Sequence, residues 1–133
     1  MKNKFSLEYF SQKSWSLVLI KNGKIIFKSK ADRLRPLVFC VKKHGREMRG
    51  AIVFDKVIGR AAAYLLAHAK VSEVWTPLVS TGGKKHLLKN KIKLDFGKEV
   101  KNIMNEKGDD LCPMEKLSGK LGEKEFVKHI LNK

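Results

Sequence analysis

The succession of strand-like and helix-like segments predicts an α/β fold, a three-layer α/β/α sandwich around a mixed central sheet. Three observations carry this prediction. Two apolar runs, "WSLVLI" (residues 15–20) and "IIFKS" (residues 25–29), are joined through Asn22-Gly23, a dipeptide that tolerates positive φ and suits a type I′ hairpin turn. After that hairpin, helical and strand-like segments alternate, the pattern of strands joined by crossover helices. The 133 residues have room for one core of moderate size, and no repeat, Pro- or Ser-rich linker or low-complexity segment divides them, so residues 1–133 read as a single domain.

Each element follows from its local pattern. Residues 5–12 read as a short helix carrying Phe5, Tyr9 and Phe10. Pro36, with φ preset for a first helical turn, and Gly45 bracket a helix over "PLVFCVKKH", in which Leu37, Cys40, Val41 and His44 share one face. That spacing makes Cys40 a core residue rather than a ligand. "AIVF" (residues 51–54) is short and wholly apolar, as expected of a strand buried on both sides. It leads through Asp55 and Lys56 into "VIGRAAAYLLAHA", an Ala-rich helix whose small side chains allow close approach to a sheet. "SEVWTPLVS" gives a strand around Val74 to Thr76, "GGKKHLLKN" a short basic helix, and "IKLDF" a last, shorter strand. From Val100 onward the pattern is helical in pieces, broken at "EKGDD" and again at Gly119 and Gly122.

Composition narrows the function classes. No apolar run approaches the roughly 18 residues that a membrane span needs, and the basic, mixed N-terminus lacks the apolar stretch of an export signal. A cytoplasmic location is expected, with Cys40 and Cys112 as reduced thiols. The formal charge is +16, from 29 Lys and Arg against 13 acids, and it is uneven: residues 1–50 hold 13 bases against 3 acids. Such a field attracts anionic partners. Only 5 of the 29 bases are Arg, however, which favours non-specific attraction over sequence-specific reading. A compositional preference for Lys on solvated faces explains the charge equally simply.

In a sheet of this kind the ligand site lies where strands end and helices begin. Two segments fall there: Asp55 to Ala61, and "GDDLCPMEKL" (residues 108–117). Read with "SLVLIKNGKIIFKS", "RPL" and "GAIVFDKVIGRAAAYLL", these segments resemble an uncharacterised prokaryotic domain of unknown function grouped with the cytidine deaminase-like fold. The resemblance covers about residues 14–118, which leaves residues 119–133 as a C-terminal helical extension. It implies a central sheet of about five strands with helices on both faces. Zinc-dependent cytidine deaminases hold their metal with a His or Cys two residues before a catalytic Glu at one helix start, and with a Pro-Cys-x-x-Cys pattern at the next. Here the first of these places reads Gly59-Arg60-Ala61, and at the second Cys112 precedes Pro113 with Glu115 three residues on. No metal site, no cofactor and no hydrolytic deamination of the zinc-dependent kind is therefore expected.

Of the three roles open to a cysteine at this place, metal ligand, reactive thiol or buried cap, the last two remain for Cys112. Pro113 suits a first helical turn and puts Cys112 at the N-cap, where unsatisfied N–H groups and the helix dipole favour thiolate. This points to a pocket at two helix N-termini, formed by Asp55, Lys56, Gly59 and Glu115, that binds a small anionic or nucleobase-like ligand beside Cys112 as nucleophile or redox-sensitive group. The plainer reading has Cys112 filling volume, Glu115 satisfying N-terminal amides, Asp55 capping the Ala-rich helix and Gly59 serving close packing. Two further readings stand beside these. One is a non-enzymatic nucleic-acid-binding accessory protein, using Lys42, Lys43, Arg46 and Arg49 or Lys84, Lys85, Lys89 and Lys91. The other is a structural subunit that forms a homo-oligomer through a sheet edge or the C-terminal helices.

Overall fold

The computed structural model describes residues 6–132; Phe5, assigned above to the first helix, lies outside them. Helix α1 (Leu7–Gln12) is capped by Ser6, whose hydroxyl accepts the Tyr9 N–H. Strands β1 (Leu17–Lys21) and β2 (Lys24–Ser29) form the expected hairpin, with Asn22 and Gly23 at φ 52° and 77° in its turn. Both values are positive, as a type I′ turn requires.

Helix α2 (Arg35–Met48) begins at the expected proline but runs past Gly45. His44 is non-helical (φ −121°, ψ 26°), so the helix kinks there and resumes, and Gly50 at φ 74° follows its end. Resumption buries Met48 completely, worth about 2 kcal/mol, against a helical cost at Gly45 of about 1 kcal/mol. The Ala-rich helix starts later than the sequence indicates. After β3 (Ile52–Asp55), Val57 and Ile58 form a short strand, β4 (Val57–Ile58), and only then does α3 (Arg60–His68) begin. The reason is pairing with β5 (Glu73–Ser80). Val53 and Phe54 lie opposite Val74 and Trp75, and Val57 and Ile58 lie opposite Leu78 and Val79, so one offset holds on both sides of the gap. β3 and β4 are one strand interrupted at Lys56, with pairing to β5 broken at Asp55 and Lys56.

Helix α4 (Thr81–Lys89) leads to β6 (Lys93–Val100), which is as long as β5 rather than the shorter strand expected. Pairing continues to Val100 opposite Ser80 because Gly97 lets the backbones approach: a Cβ there would stand 2.9 Å from the Pro77 carbonyl oxygen. Helix α5 (Pro113–Lys120) includes Gly119, one of the expected breaks, and α6 (Glu123–Leu131) follows Gly122.

The sheet runs β2, β1, β3/β4, β5, β6; β1 is antiparallel to both neighbours and the remaining pairs are parallel. Right-handed crossovers stepping the same way across the sheet deliver their helices to one face. The main core lies there: Leu17, Leu19, Val53 and Val74 from the sheet meet Leu37, Leu65, Leu66, Leu87 and Phe126 from the helices. Alternate strand residues Val18, Ile20 and Phe54 point to the opposite face and pack on Phe10 of α1. Val53 and Phe54 thus lie on opposite faces, as expected of a doubly buried strand. Residues 119–133, set apart by the sequence reading, supply Phe126, Val127 and Ile130 to the main core. Among the described residues no helix is long and apolar enough to cross a membrane.

Candidate functional site

A cleft of about 890 Å³ opens where β3 stops, between α2, the start of α3, the loop after β6 and the start of α5. Its lining brings together Asp55, Lys56, Gly59, Cys112 and Glu115, five residues drawn from two segments more than 50 positions apart in sequence.

Asp55 ends β3 and is 8% exposed. Burial raises its pKa to about 7, and the backbone N–H groups of Val57 and Lys56 draw it only partly back. Among the described residues no Lys, Arg or His makes an ion pair with it. It does not cap α3, whose N-cap is Gly59. On α2, Cys40 is buried, and desolvation first, then the charges of Glu47 and Asp55, push its thiol up to about 12. Cys40 is a neutral, inert thiol.

Glu115 has a structural task that crosses between helices. Its Oε1 accepts the Arg60 N–H at 2.8 Å and its Oε2 accepts the Ala61 N–H at 3.0 Å. The carboxylate on α5 therefore caps α3, placing negative charge at the positive end of that helix. This also accounts for Gly59: a Cβ there would lie 2.5 Å from the Glu115 carboxyl carbon. The N-terminus of α3 is filled from within the fold rather than open to a ligand anion.

Cys112 occupies the N-cap of α5 directly before Pro113, half-buried, with no side-chain capping bond. Its N–H donates to the Ile103 carbonyl at 3.0 Å, and its own carbonyl accepts the N–H groups of Glu115 and Lys116. The backbone is held on both sides while the side chain lines the cleft. At the rim, Arg33 pairs with Glu106 at 2.6 Å, joining the loop before α2 to the loop after β6. Both partners are exposed, so the pair contributes little to stability.

The expected basic residues divide. Lys42 lines the cleft, Lys43 and Arg46 are exposed farther along α2, and Arg49 is exposed at its C-cap. Lys84, Lys85 and Lys89 on α4, and Lys91 after it, do not line it; Lys84 pairs with Glu99 at 3.0 Å. Sequence reasoning missed Arg35, Phe39 and Met104, all exposed at the cleft. The spacing of Arg35, Phe39 and Lys42 at i, i+4 and i+7 was the available signal for the first two. Among the described residues no three His, Cys, Asp or Glu converge to hold a metal ion. His86 instead binds Glu123, Nε2 to Oε1 at 2.6 Å, joining α4 to α6.

Comparison with known proteins gives a consistent picture. The family model of the domain of unknown function DUF1893 (TM1506) matches residues 6–133. The crystal structure of the DUF1893 family protein TM1506 from Thermotoga maritima is similar at a TM-score of 0.86 and 27% identity, over 95% of this chain and 85% of that one. Two forms of Acinetobacter baumannii RibD are similar at TM-scores of 0.55 and 0.56 with 19% and 18% identity, over 94% and 95% of this chain. This chain spans about two fifths of the RibD length, 40% and 41% in the two forms, and the likeness is one of fold. No curated protein matches the chain.

Proposed function

The chain belongs to the DUF1893 family and has a deaminase-like α/β fold, and from that premise we propose that it binds a small, planar, nucleobase-like ligand in the cleft at Asp55. The observation that carries this reading is a carboxyl group buried at the end of a central strand, with no ion-pair partner among the described residues, in the wall of a cleft of about 890 Å³. Such a group costs stability, and groups of this kind in a cleft mark binding sites.

The chemistry selects the ligand class. With a pKa of about 7, the Asp55 carboxyl offers both a protonated and an ionised form at neutral pH. It can therefore donate to or accept from the adjacent N–H and C=O groups on the edge of a nucleobase. Val57, Ala62 and Ile103 supply apolar surface for a flat ring. An anion is a poor match for the interior of the cleft, because Glu115 already occupies the amides of α3 and Asp55 adds no positive charge. Cys112 contacts the ligand from the α5 side.

The test is thermal unfolding with a panel of free nucleobases and nucleosides, paired with alkylation of Cys112. A ligand at about 100 times its Kd should raise Tm by roughly 10 °C. It should also slow labelling of Cys112 while Cys40 stays unlabelled, and Asp55→Asn should abolish both effects. A panel that shifts neither Tm nor labelling sinks the reading.

A further inference from the structure

Along α2 the exposed residues Arg35, Phe39 and Lys42 follow one another at i, i+4 and i+7, and all three line the cleft. This spacing puts them on one helix face. Phe39 is 51% exposed, although Phe27 packs against it with ring centroids 5.6 Å apart, so one face of an anchored ring is offered to solvent at the mouth. Met104, 45% exposed on the loop after β6, adds a second apolar surface lining the same cleft. On both sides of the kink at His44, the exposed side chains of Lys43, Arg46 and Arg49 carry positive charge to the C-cap of the helix. Residues 35–49 hold five bases and one acid, Glu47.

A basic track interrupted by an exposed aromatic ring is the arrangement by which proteins hold single strands: cations follow the phosphates and the ring stacks an unpaired base. Charge alone would suit any polyanion. A half-exposed phenyl ring among the cations, at the entrance of a cleft, suits one whose bases are free to leave the stack. We infer that α2 holds a single-stranded nucleic acid, with phosphates on Arg35, Lys43, Arg46 and Arg49 and a base stacked on Phe39 beside the one that enters the cleft. The inference rests on the reading of the cleft as a nucleobase site and names the form in which that base arrives. The α4 lysines have no part in it, since they lie away from the cleft and Lys84 is held by Glu99.

The experiment is fluorescence anisotropy of dye-labelled 12-nucleotide single strands, in DNA and RNA forms, and of a 12-base-pair duplex, over a KCl series. The expected result is tighter binding of the single strand than of the duplex, with a log–log salt slope of about −2 to −3 for three to four phosphate contacts. Phe39→Ala, at a half-exposed position that the fold can spare, should weaken single-strand binding about tenfold, and Phe39→Trp should restore it. Arg46→Glu with Arg49→Glu, outside the cleft, should weaken it at least as much and flatten the salt slope. Duplex bound as tightly as single strand, or indifference to Phe39→Ala, overturns the inference. Nucleoside stabilisation that depends on Asp55 would then still stand, because it is read on free nucleosides. Conversely, Phe39-dependent strand binding that free nucleosides do not compete and Asp55→Asn does not alter overturns the cleft reading, and with it the entry of a base.

Discussion

Asp55 makes the cleft wall sensitive to pH. Its pKa rises from the ordinary carboxylate range to about 7 on folding, so between about pH 4 and pH 7 the native state binds more protons than the unfolded chain. Stability therefore falls as pH rises through that window and levels off above it, with a full cost of up to roughly 4 kcal/mol. Asp55→Asn removes this cost. Thermal unfolding across pH should show the variant more stable than the parent at pH 8, with the gap closing toward pH 4. A variant less stable at pH 8 would mean that the carboxylate is held ionised by its donors. The placement of Asp55 was legible because an apolar strand ended in it. That no Lys, Arg or His among the described residues pairs with it was not, since that depends on where side chains from α2, α5 and two loops stop. Cys40 was legible from helical spacing and Cys112 from the proline after it. The partner of Glu115 was hidden, because its hydrogen bonds span 54 and 55 residues of sequence.

Helices α3 and α5 are tied at their N-termini by one carboxylate and one missing side chain, and the two should behave as a unit. Gly59→Ala should destabilise the fold by about 1–3 kcal/mol through overpacking against Glu115, and Glu115→Ala by about 1–2 kcal/mol through the lost cap. Chemical denaturation of both variants and their double mutant should be strongly non-additive, with Gly59→Ala nearly neutral once Glu115 is gone. Additive losses would show that Gly59 is required for some other contact. Among the elements themselves, those with local signals were legible: the Asn22-Gly23 turn, the Pro36 start of α2 and the Cys112-Pro113 start of α5. The elements that depend on a neighbouring strand were not. β4 exists because Val57 and Ile58 find Leu78 and Val79, and β6 lengthens because Gly97 admits the Pro77 carbonyl. Periodicity within one segment carries no record of either partner.

At the scale of the molecule, 13 acids can neutralise at most 13 of the 29 bases, so self-repulsion is built into the folded state. Raising NaCl from about 20 to 300 mM shortens the Debye length from roughly 20 to 6 Å and should raise Tm by several degrees. A fall would mean that ion pairs such as Arg33–Glu106 outweigh the net charge. The same screening should loosen any strand on α2, so fold and binding are expected to respond to salt in opposite directions. The interrupted central strand also limits how the chain can change in length. β3 and β4 keep one register across Asp55 and Lys56, and inserting one residue there would turn Val57 and Ile58 to the opposite faces of the sheet. The fully buried Ile58 would leave the main core, and Gly59 and Arg60 would rotate away from Glu115. The turn around Gly108 is closed by its own Asn105 hydrogen bonds and lies outside the sheet register, so its length is not tied to that of the strands. Insertions and deletions can accumulate at the rim of the cleft, while the strand that ends in its wall must keep its length.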